Sequence, residues 1–467
     1  MDKKIPLRSL VILMIAAIDN IRNLPAAALF GSSLILFFIL AALLFLIPVS
    51  LVAAELSSAF PKTGGIYHWV DRAFGKKMGM AAIWLQWVNT VIWYPTVLSF
   101  IAGTLGYLIH PGLVENKTFL ITFILVVFWG LTLFNLKGVY LSAIVNNACC
   151  LFGSMVPLCL LIGLGAIWVL KGEPLQITFA LKDFVPPINS STSWVSLIAI
   201  MASFTGMELA GVHVNDIKDP QRNFPKAALI SCLFIFFSMT LGSLAIAFVI
   251  PEKEINLISG VMQMVDGFFK AFHLEPLTPI VGGLIVIGSI GLLINWLISP
   301  AKGLLHAAES GFLPAVFAKT NKDGVAYNIL FAQATIVTLM CFLFLFEPNV
   351  GAFYWFLTAI STELYMIMYA LMFAAALYLH YTHQDRKDTF KIPGKTIGIW
   401  LVCLLGAIGS LATIIVSFIP PDNVQYDSHL QYLVTIVIGN ILCICPLAIF
   451  YRYRKKALRQ GELALTN

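Results

Sequence analysis

Charge is what this 467-residue chain has least of. Asp, Glu, Lys and Arg make up 11% of it, against roughly 25% in a soluble domain. That scarcity excludes a large water-soluble fold, because 59% of the residues are hydrophobic and mean hydropathy is +0.89. The eight cysteines show no metal-ligand spacing beyond the adjacent pair Cys149 and Cys150, so neither a metal site nor a disulfide framework is expected. No cofactor fingerprint, HExxH motif or GxSxG elbow is found, and the sequence offers no catalytic residue. Stretches of about ten residues with strict alternation, the mark of a lipid-facing barrel strand, are also missing.

What is present is a series of apolar runs, each long enough for a bilayer core of about 30 Å, which takes about 20 helical residues. Twelve are expected, at 8–32, 34–60, 78–109, 119–135, 141–169, 194–215, 226–250, 277–307, 327–346, 350–382, 397–419 and 430–451. The fold class is therefore all-α, membrane-embedded. Basic residues concentrate in cytoplasmic segments. With the N-terminus inside, only Lys117, Lys171, Lys182, Lys253 and Lys270 fall outside, and Arg22 lies within the membrane. Twelve crossings then leave both termini in the cytoplasm of a bacterial inner membrane, and the net charge of +6 records topology, not a nucleic-acid surface. The basic start followed by Leu10–Ala17 mimics a signal peptide, but the polar residues that interrupt it read as a retained first helix.

Two segments break the rule that backbone in lipid must be hydrogen-bonded within itself. The first holds Asp19, Asn20, Arg22 and Asn23 and then Pro25, which denies its amide to the helix and biases Leu24 away from helical angles. At about 1.5 Å per residue from Arg8, Arg22 lies roughly 21 Å deep, near the midplane. The sixth segment has its own weak point at Ser203-Phe204-Thr205-Gly206-Met207-Glu208. Two interrupted helices, five crossings apart and opposite in direction, point to an inverted-repeat transporter whose site lies at the breaks. For the sixth segment, Gly and Thr also suit plain close packing of helices. The stretch from Pro251 to His273 presents Val261, Met262, Val265, Phe268 and Phe269 on one helical face and reads as an external loop helix.

Several stretches carry a family likeness: Ile47-Pro48-Val49 through Ala53-Ala54-Glu55-Leu56, Gly206-Met207-Glu208 through His213-Val214-Asn215-Asp216, and Val249-Ile250-Pro251 through Glu254-Ile255-Asn256-Leu257. Gly260-Val261-Met262-Gln263, Phe390-Lys391-Ile392-Pro393-Gly394 and Pro420-Pro421-Asp422-Asn423 complete them. On these the chain resembles the amino acid–polyamine–organocation superfamily, and within it the bacterial glutamate/GABA antiporter subfamily. The resemblance implies a LeuT-like 5+5 inverted repeat, with residues 1–169 and 194–382 as the repeats. It leaves 397–455 as two peripheral helices and 456–467 as a short cytoplasmic tail without the family's long plug segment. It implies alternating access and exchange of an amino acid for a related one or its decarboxylated amine. Small amino acids or amines and the bilayer are then the partners, without nucleic acid or cofactor. Monomer and homodimer stay open.

The resemblance also assigns site residues. Tyr365 and Tyr369 fall where the subfamily lines its path, and their spacing of four puts them on one helical face. Trp296 matches a family pattern equally suited to packing. The expected substrate-binding set is Asp19, Arg22, Asn23, Phe204, Thr205, Gly206, Tyr365, Tyr369 and Trp296. Glu208 and Glu363 are expected to be proton-linked or to cap the helix breaks. Arg22 has two readings: a bidentate hold on a substrate carboxylate, or a bridge to Asp19 that shapes the break. Glu363, two residues from Tyr365, is about 200° around the helix and points into the scaffold. His213 and Glu55 read as structural. The chain departs from the subfamily at Arg22 and Asn23, where a tyrosine and a glutamate stand, and at Leu292, where an acidic residue stands. A proton symporter or uniporter on the same fold and a non-transporting sensor are the competing functions; the lack of a soluble signalling domain speaks against the sensor.

Overall fold

The computed structural model describes residues 4–62, 64–110, 112–113, 116–185, 197, 200–255, 259–344, 350–383, 389–419 and 429–459. Among them ten helices are long and apolar enough to cross a membrane. We label these and two further segments in chain order. α1 is Leu7–Ala28, α2 Gly31–Ala59, α3 Lys76–Ile109, α4 Lys117–Asn135 and α5 Tyr140–Leu170. α6 is the segment 200–216, α7 is Pro220–Val249 and α8 is Thr278–Glu309. α9 is the shorter apolar helix Tyr327–Phe344, and α10 is Val350–Thr382. α11 is Lys395–Ser417 and α12 is His429–Arg459. Most of the sixth expected span before residue 200 lies outside the described residues, as do Asn256, Leu257 and the Pro420–Asn423 motif.

Two groups of helices pack together. In one, α7 lies against α1 and α2, and α6 lies against both of those. In the other, α3 packs on α4, α8 and α9. α10 lies between α3 and α11 and so joins the second group to the periphery. Apolar side chains on the outward faces of α7, α11 and α12, such as Leu233, Phe237, Leu404, Ile408, Ile441 and Leu442, are exposed. Such a surface is stable only against lipid.

The loop between α7 and α8 forms the helix Gly260–Phe272, which buries Val261, Met262, Val265, Phe268 and Phe269 as its periodicity predicts. It sits over the end of α1, so closely that a Cβ at Gly260 would lie 2.9 Å from Pro25. Two family motifs meet elsewhere: the Ile392 amide donates to Glu55 Oε2 at 2.9 Å, and the Phe390 amide donates to Ser58 Oγ at 2.9 Å. Glu55 thus ties α2 to the segment before α11, the structural role its position suggested. All eight cysteines are free thiols.

Candidate functional site

α1 is helical only as far as Ile18. Asp19 (ψ 90°) and Asn20 (ψ 109°) leave the helical range, and the Asn20 side chain turns back to accept the Arg22 amide at 3.1 Å. That side-chain bond replaces a backbone one, which is how Asn sustains a local turn. Ile21–Asn23 form a single 3-10 turn, and the chain re-enters helix at Leu24–Ala28. Pro25 stands in the first turn of that helix, where a missing amide costs nothing.

α6 breaks at Gly206, whose φ of +120° only glycine adopts without strain. Beyond it Met207–Asp216 is a tight 3-10 helix. A side chain at Gly206 would also collide: its Cβ would lie 3.0 Å from Trp296 Cζ2 and 3.2 Å from the Ala17 carbonyl. The glycine therefore lets the two breaks and α8 approach one another. Trp296 completes the junction by donating from Nε1 to the Ala17 carbonyl at 2.8 Å, while Tyr94 of α3 donates to the Trp296 carbonyl at 2.8 Å.

Between the breaks lies a cavity of about 40 Å³ with a mixed polar and apolar lining, room for about three waters. Its walls include Ile18, Asn20, Arg22 and Asn23 of α1, Thr205 of α6, and Trp296 and Leu292 of α8. α3 supplies Asn89 and Trp93; α10 supplies Thr358, Ser361, Thr362 and Tyr365. Arg22 is buried; its Nη1 donates to Thr96 Oγ1 at 2.7 Å, and its guanidinium stands 5.6 Å over the Trp93 ring. A cation over tryptophan is held by the ring quadrupole at about 0.5–2 kcal/mol. The geometry keeps the charge at the cavity wall in a place no lipid reaches.

Glu208 is fully buried beside this cavity. Its Oε1 accepts from Gln86 Nε2 at 2.9 Å and from the Tyr365 hydroxyl; its Oε2 accepts from the Tyr369 hydroxyl at 2.5 Å. The same Tyr369 oxygen accepts the Gly206 amide at 2.8 Å. The glutamate joins α6 to α3 and α10 across the break through side-chain donors, while the Gly206 amide itself goes to Tyr369.

The expected binding residues divide accordingly. Arg22, Asn23, Thr205, Trp296 and Tyr365 line the cavity, and Gly206 touches Trp296 behind it. Phe204 is buried away from it, edge-on to Phe38 with ring centroids 5.7 Å apart, and Tyr369 stands behind Tyr365. Asp19 points towards α7, where its Oδ2 accepts from Ser238 Oγ at 3.0 Å. Glu363 points into the scaffold, where it accepts from Ser417 of α11 and Asn440 of α12, and it caps neither helix break, because α11 and α12 hold both of its oxygens. His213 Nε2 meets Ser299 Oγ at 2.9 Å in a structural contact.

Sequence reasoning passed over the α3 wall. Gln86, Asn89, Thr90 and Thr96 fall within about 120° of one another around a mostly apolar helix, which places them near one face. A second, wider cavity of about 550 Å³ opens at the end of the molecule that carries Lys4, Lys137, Lys302, Asp216 and Asp323. There Lys302 Nζ lies 3.1 Å from Asp216 Oδ2, and the Ile5 amide donates to the Asp216 carbonyl at 2.7 Å.

A model of the amino acid permease family matches residues 5–441. The chain belongs to this family. An uncharacterised transporter of Legionella pneumophila is 38% identical to the permease over 436 residues, 93% of this chain and 94% of that one. A glutamate/gamma-aminobutyrate antiporter of Lactococcus lactis is 30% identical over 463 residues, 97% and 92% of the two chains. A probable agmatine/putrescine antiporter of the same species is 23% identical over 428 residues, 90% and 88%. The permease is thus an all-α, multi-pass bacterial membrane protein that transports and does not catalyse a reaction.

Proposed function

We propose that the permease is a secondary active exchanger of an amino acid for a related amino acid or its decarboxylated amine, working by alternating access at the cavity between the two breaks. The observation that carries this reading is the placement of Arg22 on the cavity wall, at the break of α1 and opposite the break of α6. A guanidinium there matches a carboxylate bidentately. Thr205 and Tyr365 offer hydroxyls for the remaining polar groups of a small zwitterion. The relatives named as antiporters of glutamate and gamma-aminobutyrate, or of agmatine and putrescine, support exchange between an amino acid or amine and its decarboxylation partner.

A cavity of about 40 Å³ is smaller than such a solute, so the walls part when substrate enters. In this reading helices 1–5 and 6–10 are the inverted repeats, both termini are cytoplasmic, and the wider cavity beside Lys4 and Lys302 is the cytoplasmic vestibule. The test is competition: purified protein in vesicles takes up labelled glutamate, and a panel of unlabelled amino acids and amines is applied outside. Amino acids with a free carboxylate should compete and amides of the same acids should not. Equal competition by acids and their amides removes the arginine–carboxylate contact from the mechanism.

A further inference from the structure

Asp19 is a poorly compensated buried carboxylate. It is 3% exposed, its Oδ2 has one neutral donor in Ser238, and its Oδ1 meets no donor among the described residues. Glu208 has three side-chain donors, and both oxygens of Glu363 are occupied. Asp19 also caps the C-terminal end of the twelve-residue half-helix Leu7–Ile18. The unpaired carbonyls at such an end carry partial negative charge, which repels a carboxylate.

Among the described residues, the groups that face it are mostly neutral or engaged elsewhere. α7 presents Ser238, and α5 presents the Cys150 thiol. On α6, Glu208 is bound to Gln86 and the tyrosines, and His213 to Ser299. Arg22 of α1 reaches Thr96, and Lys302 of α8 reaches Asp216. An ionised Asp19 in this place would cost several kcal/mol, so the site calls for a positive charge. A proton meets that need without further ligands, and Ser238 is the one side-chain donor to Asp19 among the described residues.

We infer that Asp19 is a proton site of the transport cycle, set behind the substrate cavity at the contact of α1 with α7, and that it must be occupied for the two helices to close on each other. The inference rests on alternating access as proposed above. When α1 leaves α7, water reaches the carboxylate and the proton departs; reclosure takes one back. Exchange therefore slows as pH rises, by up to about tenfold per unit where reprotonation limits the rate.

Two measurements on the full-length protein test it. Infrared difference spectra of wild type against Asp19→Asn, in detergent at neutral pH, should show a protonated-carboxyl C=O stretch that the variant lacks. Asp19→Glu should shift that band and not remove it. Exchange in vesicles held at equal pH on both sides should slow from about pH 5 to pH 8 in wild type, while the Asp19→Asn profile is flat. A wild-type spectrum without the band, a variant that keeps the wild-type pH profile, or a rate set by sodium and not by pH would each overturn the proposal. If the band is present and no exchange occurs, the transport reading falls and the proton site stands.

Discussion

The Tyr369 hydroxyl serves two groups at the α6 break: it donates to Glu208 Oε2 at 2.5 Å and accepts the Gly206 amide at 2.8 Å. One α10 side chain thus satisfies both the carboxylate and the backbone group released where α6 stops being helical. A bond to a buried charged group contributes about 1.5–3 kcal/mol, and an amide left without a partner adds to the loss. Tyr369→Phe removes both bonds while keeping the ring against Phe45. We predict a lower melting temperature for the solubilised variant together with slower transport. Wild-type melting in Tyr369→Phe would mean that the glutamate and Gly206 find other partners at no cost.

Gly206 is the tightest point of the same junction. Gly206→Ala combines a disfavoured φ, of order 1–3 kcal/mol, with the clash against Trp296 and the Ala17 carbonyl. Exchange should fall at least about tenfold, since 1.4 kcal/mol is a factor of ten. Trp296→Phe relieves the clash by removing the larger ring, so the double variant should recover part of that loss in the same vesicle assay. Additive losses would show that the two residues act separately.

The first break was legible because four polar residues and a proline in one apolar run have no other explanation in lipid. The second rests on one glycine, and its positive φ is a fact of the folded chain. Glu363 could be turned away from the site by angular arithmetic alone, because that depends only on helix geometry. The orientation of Asp19 could not. It occupies the break itself, where helical periodicity stops, and its partner Ser238 lies 219 residues further on. The α3 wall was missed for a related reason: Asn89 and Thr96 are ordinary helix residues until α1 and α10 pack against them.

Arg22 should contact the substrate carboxylate. Arg22→Lys keeps the charge but loses the fork geometry, weakening binding by about 1–3 kcal/mol, and Arg22→Ala should abolish it. Equilibrium binding of labelled substrate to solubilised protein reads this directly. Wild-type affinity in Arg22→Ala would assign the arginine to the shape of the break, through Thr96 and Trp93.

At the opposite end of α6, Asp216 closes the N-terminal segment against α8. The adjoining His213 ring and then the Lys302 ammonium hold its carboxyl well below the usual carboxylate range. A depressed carboxyl stabilises the fold above its unfolded pKa, and that contribution is lost only as pH falls through the lower folded value. The pair is therefore constant across the neutral range. Asp216→Asn should change the exchange rate by the same factor at about pH 6 and pH 8, measured in the vesicle assay. A factor that differs between them would place pH sensing at this closure instead of at Asp19.

The central claim is exchange at the cavity between the breaks, and trans-stimulation tests it most directly. Vesicles reconstituted with the permease are either loaded with unlabelled glutamate or gamma-aminobutyrate or left empty, and entry of labelled glutamate is followed in both. The account predicts entry many times faster into loaded vesicles, because the unloaded carrier returns slowly. Equal initial rates into loaded and empty vesicles would contradict it.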